Sequence, residues 1–376
     1  MSDTQKNKKL NVPNLRFPGF EGEWEKHTLG EVGEPYIGLT YSPADVVSEG
    51  GVIVFRSSNI QNGEIDYSDI VRVEKRIKES IRTRKDDLLI CARNGSPRLI
   101  GKNALLDEED ANQTFGAFML VFRSEDNHFI HHLLSTKGYY SQVSENLGAR
   151  INQITTANIK DFEFSFPENK AERDRIASFL DLIDKRISIQ NRIIERYESL
   201  IKALAFKVIG SKEPHTRLYD CVVCTSSTLK ESELIDDGIP SYGASGISGY
   251  SAEALCESDS ILITKDGSGV GTKRYVHGAH SFVGTLCSLT PKKGIYLPYI
   301  YYALINMNFD AYKTGQAIPH VYFKDYGKAL LFCPSHSEQI KLAQGLEYLD
   351  RKVSYERETL LYLCQLKTFL LSQLFI

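Results

Sequence analysis

No apolar run in this chain approaches the roughly 20 residues that a membrane-spanning helix requires. The first residues, MSDTQKNKKLN, carry no apolar core of a secretory signal, so a cytoplasmic protein is expected. An excess of positive charge is missing too. The formal net charge is −3, so any grip on nucleic acid must come from local basic patches. The 7 cysteines are odd in number and scattered, and Cys91, Cys287 and Cys333 stand in apolar runs. That pattern fits small buried hydrophobes in a reducing compartment, not a disulfide framework. Cys221-Val-Val-Cys224 has no second ligand pair at zinc spacing and reads as a strand with its cysteines on different pleat faces. His131-His132 reads as the surface of a helix. Gly-x-Ser-x-Gly, His-Glu-x-x-His and Walker motifs are absent, as is the Asn/Asp-Pro-Pro-Tyr run an adenine methyltransferase would need. The sequence therefore assigns no catalytic residue, no metal and no cofactor to this chain.

What is present is an ordinary globular composition, 42% apolar and 25% charged over 376 residues, enough for two or three domains. It is organised around a long helical pattern after Pro167. Apolar residues recur at Ile176, Leu180, Ile183, Ile187, Ile194, Tyr197, Ile201, Leu204 and Val208, in alternating steps of four and three with a polar interruption at Gln190. That is a heptad seam, which packs lengthwise on another helix. The segment after Pro334 repeats it at Leu342, Leu346, Leu349, Val353, Leu360, Leu363, Leu370 and Leu374.

The two segments are copies. Glu172-Arg-Asp-Arg-Ile-Ala177 aligns with Glu338-Gln-Ile-Lys-Leu-Ala343 at an offset of 166 residues, which also sets Asp184 on Asp350, Ile187 on Val353 and Ser188 on Ser354. Upstream the repeat is weaker. Gly148-Ala-Arg-Ile151 matches Gly315-Gln-Ala-Ile318, Leu89-Ile-Cys91 resembles Ile261-Leu-Ile263, and Phe115-Gly116 resembles Val283-Gly284. The expected fold is α+β: two mixed α/β globules, each followed by a long helix, with the helices paired as an antiparallel coiled coil of pseudo-twofold symmetry. The boundaries expected are 1–166, 167–210, 211–332 and 333–376. Gln190 and Glu356 are equivalent, and the reading places them in one polar layer at the centre of the coil, where such layers fix register. The alternative leaves both as solvent-edge residues.

In chain order, residues up to about Asn11 read as disordered, and Phe17, Phe20 and Trp24 sit in a strap pinned on a core. Strands are expected at Val52–Arg56, Asp87–Ala92, Ala117–Arg123, Asp161–Phe166, Ile261–Thr264, Ser281–Leu289 and Ala329–Phe332. Helices are expected near Phe129–Leu147 and Tyr299–Asn306.

Two loops carry the candidate chemistry. Arg93-Asn-Gly-Ser-Pro-Arg-Leu-Ile-Gly-Lys102 and Lys265-Asp-Gly-Ser-Gly-Val-Gly-Thr-Lys-Arg274 each follow an apolar strand and are rich in glycine, hydroxyls and cations. Arg93, Asn94, Ser96, Arg98 and Lys102 in the first, and Lys265, Asp266, Ser268, Lys273 and Arg274 in the second, are candidates for phosphate and base contacts. A plain solvated hairpin is the alternative. A second matched pair supplies Gln153, Thr155 and Thr156, and His320, Tyr322 and Lys324, where Gln and Lys could read base edges or where a structural turn could precede the last strand. A weaker third pair is Arg56-Ser-Ser-Asn59 and Ser241-Tyr-Gly-Ala-Ser245.

The opening VPNLRFPGFEGEWEKHTLGEV, the two Pro-led helices and the ending LKTFLLSQLF resemble the specificity subunit of type I restriction-modification systems over nearly the whole chain. The resemblance implies that each globule is a target recognition domain reading one half of a split DNA site, and that the helices form the ruler between the halves. It implies two modification (methyltransferase) subunits that carry S-adenosylmethionine and methylate adenine. Restriction subunits would add ATP- and Mg-dependent translocation and cleavage. This chain would bind double-stranded DNA without a catalytic residue or cofactor of its own. A coiled-coil adaptor that binds proteins without DNA, or a nuclease, are the rival readings.

Overall fold

The computed structural model describes residues 10–147, 152–267, 269–315 and 318–376. The polar start before Leu10, Ser268, and the matched segments around Arg150 and Gln316 lie outside the described residues, in whole or in part. The chain divides into two compact units, Met1–Ile189 with Leu361–Ile376, and Gln190–Leu360. Each long helix is therefore shared between units.

In the first unit the central sheet is antiparallel, in the order Glu34–Ile37, Met119–Arg123, Leu88–Cys91, Asn103–Leu105. Its middle strand, Leu-Leu-Ile-Cys, is buried on both faces, which explains an unbroken apolar run without alternation. Leu88 and Ile90 point with Phe122 toward the helix Asn127–Leu133 and its Phe129 and Ile130. Leu89 and Cys91 point the other way, with Val121, toward Phe55 and Phe115 of a second sheet. That sheet pairs Thr114–Phe115 with Val52–Phe55 in parallel, and Val52–Phe55 with Val71–Val73 in antiparallel fashion. A short ladder joins Glu25–Thr28 to Glu163–Phe166. The strap is pinned as expected: Trp24 is buried edge-on to Phe129 and Phe375, and Phe17 packs on Phe179.

The second unit repeats this plan. Its antiparallel sheet runs Val222–Ser226, Leu286–Pro291, Ser260–Thr264, Lys273–Val276. Ser281–Phe282 pairs in parallel with Ile239–Gly243, and Thr216–Arg217 pairs with Leu330–Leu331. Ile261 and Ile263 face Tyr299 and Ile300 of the helix Leu297–Ile305, while Leu262 faces Phe282. The parallel pairs put Phe282, not Val283, in the place of Phe115.

The long helices run Lys170–Ala205, closed by a wider turn at Phe206–Gly210, and His336–Leu374. Their segments pack side by side, antiparallel, within each unit. In the first, Ile176 and Leu180 share a core with Leu370 and Leu374, and Lys367 Nζ lies 2.5 Å from Asp184 Oδ1. In the second, Ile194 and Ile201 share a core with Leu346 and Val353. No helix among the described residues is long and apolar enough to cross a membrane.

Four local expectations are corrected. The single helix near Phe129–Leu147 is two, Asn127–Leu133 and Lys137–Glu145, because the Thr136 hydroxyl caps a new start by accepting from the Tyr139 amide. Ser281–Leu289 is two strands, Ser281–Phe282 and Leu286–Pro291. Cys221 ends a short helix, Leu218–Cys221, and only Cys224 lies in the strand that follows. His131 and His132 are not helix surface. His132 is wholly buried and His131 nearly so, because the first long helix covers them and supplies carboxylates.

Candidate nucleic-acid interface

In the first unit the loop after the Leu88–Cys91 strand and the segment before the helix Thr156–Asp161 come together. Arg93 forms a β-bridge to Gln153, the Asn94 amide donates to the Asn152 carbonyl at 3.3 Å, and Asn152 Nδ2 donates to the Gly95 carbonyl at 3.0 Å. These segments line a cleft of about 900 Å³ together with Tyr41, Arg56, Ser57, Ser58 and Phe118. Phe118 is 57% exposed, and the Arg93 guanidinium lies 4.9 Å from its ring centroid. The ring's negative face thus holds the cation at the mouth of the cleft.

The second unit makes the same junction with other residues. Asp266 forms a β-bridge to His320, and the two side chains meet at 2.6 Å between His320 Nδ1 and Asp266 Oδ1. The His320 ring is stacked with that of Tyr322, and Lys324 Nζ lies 5.3 Å from the exposed Tyr322 ring. Arg274 sits 5.7 Å from the Tyr242 ring centroid. Both units therefore set cations on aromatic faces beside a loop that is closed by one bridge. Such a surface offers charge, hydrogen-bond donors and π-faces, the groups that contact phosphates and bases.

Residues 21–199 match the family described as the type I restriction modification DNA specificity domain. The EcoKI specificity subunit of Escherichia coli (strain K12) is 29% identical over 181 residues, which are 46% of this chain and 39% of that protein. A putative type I specificity subunit of Mycoplasma genitalium (strain ATCC 33530) is 28% identical over 252 residues, 61% of this chain and 65% of the relative. These alignments thus span only 39% and 65% of the relatives' lengths. The crystal structure of a type I restriction-modification S subunit from M. genitalium shares the fold, with a TM-score of 0.63 and 23% identity over 97% of this chain and 99% of that one. The chain resembles the type I restriction-modification specificity subunits, in sequence over residues 21–199 and in fold over nearly its whole length. Specificity subunits of this family are non-catalytic DNA-recognition subunits.

The predicted residues divide by what already holds them. Arg93 and Arg98 are exposed, Arg98 on the turn Pro97–Leu99. Lys265, Arg274 and Lys102 are half-buried, and Tyr322 and Lys324 are exposed. Asn94 is already engaged: Nδ2 donates to Ser57 Oγ of a neighbouring turn at 2.9 Å and Oδ1 accepts from the Ser96 amide of its own loop at 3.0 Å. Thr155 caps the helix Thr156–Asp161, accepting from the Asn158 amide at 3.1 Å, so its hydroxyl serves the backbone. Thr156 is the half-buried first residue of that helix.

Lys273 turns inward. Its Nζ donates to the Met307 carbonyl at 2.8 Å and lies 4.9 Å from the Phe309 ring, and burial lowers its pKa to about 8. A lysine so placed does not extend to a phosphate. Gly271 explains the inward path, since its φ of +88° and the Phe309 Cβ only 2.8 Å from a notional side chain both demand glycine. Arg56 is tied to Asp69 at 2.8 Å. Phe118 and Tyr41 in the cleft are residues that sequence reasoning missed. An apolar residue alternating at the end of a strand gave no sign that it faced solvent.

Proposed function

We propose that this chain reads a bipartite site on double-stranded DNA, one half per unit. The observation that carries the reading is the recurrence of one junction in both units. An exposed cation lies against an aromatic ring there, beside a loop bridged to the segment before the closing helix (Arg93, Phe118 and Gln153; Lys324, Tyr322 and His320). Partner modification subunits, two per chain, would supply S-adenosylmethionine and methylate adenine in each half. Restriction subunits would bring ATP, Mg and the nuclease. The long helices offer surfaces for such partners: Leu182, Tyr355 and Phe369 are each more than half exposed. The setting would be the cytoplasm.

The test combines methylation mapping with binding. In cells carrying the full system, methylated adenines should map to one split sequence. Arg93→Ala should relax or weaken recognition of one half while the other half is kept, and Lys324→Ala should act on the opposite half. A complex whose DNA affinity falls equally for specific and unrelated duplexes would make both residues phosphate contacts. A complex with no salt-dependent DNA binding would instead favour an adaptor that binds protein alone.

A further inference from the structure

Two adjacent histidines of the first unit converge on a carboxylate of the first long helix. His131 and His132 lie in the last turn of Asn127–Leu133, 8% and 0% exposed. His131 Nδ1 is 2.8 Å from Asn103 Oδ1. The Asn103 amide is fixed in that sense because its Nδ2 donates to the Leu134 carbonyl at 3.2 Å. Its oxygen therefore accepts, the His131 proton sits on Nδ1, and Nε2 is left as a lone pair. His132 Nε2 is 2.8 Å from Asp181 Oδ1, which accepts in the same way and leaves Nδ1 bare. That Nδ1 is buried and has no hydrogen-bond partner.

The two free nitrogens face one oxygen. His131 Nε2 is 3.9 Å and His132 Nδ1 is 3.7 Å from Asp184 Oδ2, and the three atoms lie within 4.8 Å of one another. Both separations exceed the ~2.7–3.2 Å of an N–H···O bond, so no proton bridges them. Three electron-pair donors thus stand close together, two on buried rings and one on the half-buried Asp184. Asp184 Oδ1 is engaged by Lys367 Nζ at 2.5 Å, which aims Oδ2 at the histidines.

The second unit fills the equivalent place differently. Asp350, the counterpart of Asp184, accepts from the Tyr302 hydroxyl at 2.5 Å, and Glu347, the counterpart of Asp181, accepts from the Tyr296 hydroxyl at 2.7 Å. There a hydroxyl proton satisfies each carboxylate. In the first unit an imidazole N–H still reaches Asp181, but neither ring donates to Asp184 Oδ2, where the twin has the Tyr302 hydroxyl proton.

We propose that His131, His132 and Asp184 bind a divalent transition metal, with Zn²⁺ the ion to test. The metal would staple the Asn127–Leu133 helix to the first long helix. Two imidazoles and one carboxylate are ligands this ion accepts, with water in the fourth place. Bonds of ~2.0–2.2 Å set tetrahedral ligand atoms roughly 3.3–3.5 Å apart, so the two contacts to Asp184 need to tighten by a few tenths of an ångström, and the two ring nitrogens, within 4.8 Å of each other, must close to the same spacing. The outer partners, Asn103 on one ring and Asp181 on the other, are the arrangement that orients metal-bound imidazoles. Sequence spacing could not show the site, since about fifty residues separate the histidines from the aspartate.

The test uses the full chain, stripped with a chelator and re-equilibrated with one equivalent of Zn²⁺. Metal analysis should find one ion per chain in wild type and at least a tenfold loss of affinity in Asp184→Asn and in His131→Gln. Zn²⁺ at a hundredfold excess over Kd should raise the unfolding midpoint by roughly 5 °C in wild type and not in Asp184→Asn. Co²⁺ substitution in wild type reports the ligands without any mutation. A visible d–d band without thiolate charge transfer in the near ultraviolet supports the site. Thiolate charge transfer would put the ion on cysteines, such as Cys221 and Cys333 with sulfurs 3.8 Å apart, and would overturn it. No retained Zn²⁺, or equal retention in both variants, would overturn it as well.

Discussion

Gln190 donates to the backbone carbonyl of Glu356 at 3.1 Å and also to its carboxylate, and the two residues hold equivalent positions in the two copies of the repeat. Gln190 is only 2% exposed. Glu356→Leu keeps the backbone carbonyl but removes the second acceptor, and a buried N–H left unpaired costs more than its bond contributes when made. Glu356→Leu alone is therefore expected to lower stability by about 1–2 kcal/mol. The double replacement with Gln190→Leu should recover most of that loss, since it leaves no orphan in an apolar seam. Urea unfolding of the three variants checks the order. Additive losses would mean the pair is not coupled.

Arg16 grips Glu172 with two parallel bonds, both 2.8 Å, and Glu172 is 1% exposed. This fork fastens the opening strap to the first turn of the long helix. Removing one member strands a buried charge, for which about 3 kcal/mol is the expected cost. Arg16→Met should show it in denaturant titration, and Arg16→Met combined with Glu172→Gln should cost less. Glu338, the twin of Glu172 in the repeat, is exposed, so Glu338→Gln should leave stability within about 0.5 kcal/mol of wild type.

The long-helix pattern was legible because each seam residue reports its burial through spacing alone. Ile176, Leu180, Ile194, Ile201, Leu346, Val353, Leu370 and Leu374 are all buried. The doubly buried strands at Leu88–Cys91 and Ser260–Thr264 were legible as short apolar runs. What escaped were contacts that no periodicity encodes. His131 and His132 looked like polar helix surface because the aspartates that cover them come from another element. Thr155 carried a readable signal, Thr-Thr-Ala-Asn with Asn158 at the third helical position, a variant of the capping box that the base-reading interpretation passed over. Lys273 gave none: its inward turn depends on Phe309 and Met307, more than thirty residues on.

Arg93 and Phe118 offer a way to separate charge from platform. Phe118→Leu keeps apolar bulk near the cleft but removes the face that holds the guanidinium. Cation–π contacts at exposed sites contribute roughly 0.5–1 kcal/mol, so DNA affinity should fall only a few-fold. Arg93→Ala should cost about 1–3 kcal/mol if Arg93 reads a base. Competition binding of each variant against the half-site it retains gives the comparison. Equal effects of the two substitutions would show that Phe118 itself contacts DNA.

The equivalent helices also predict a change of spacing without a change of sequence read. Seven residues are two helical turns, or ~10 Å of rise, and their removal keeps the heptad seam in phase. Deleting Ser188–Ile194 with its counterpart Ser354–Leu360 should shorten the unspecified gap between half-sites and preserve both halves. Mapping of methylated adenines decides it. New half-site sequences would show that the helices do not act as a spacer alone.

Lys273 sets a pH dependence whose sign follows from its burial. The folded pKa is depressed to about 8, whereas an unfolded lysine titrates near 10.5. Below pH 8 both states hold the proton, and folding bears the full cost of a buried charge. Between about 8 and 10.5 the unfolded chain binds more protons than the folded one, so this residue makes stability rise with pH. Lys273→Met removes the group and should flatten the slope, with its stabilising effect largest near pH 7 and shrinking toward pH 9.5. Urea midpoints at half-unit steps from pH 7 to 9.5 measure it, a window chosen to stop short of tyrosine ionisation near 10. The loss of the bond to the Met307 carbonyl and of the contact with Phe309 opposes that gain. A variant less stable at pH 7 with a flattened slope would show that those two contacts outweigh the buried charge, whereas an unchanged slope would show that the Lys273 pKa is not depressed.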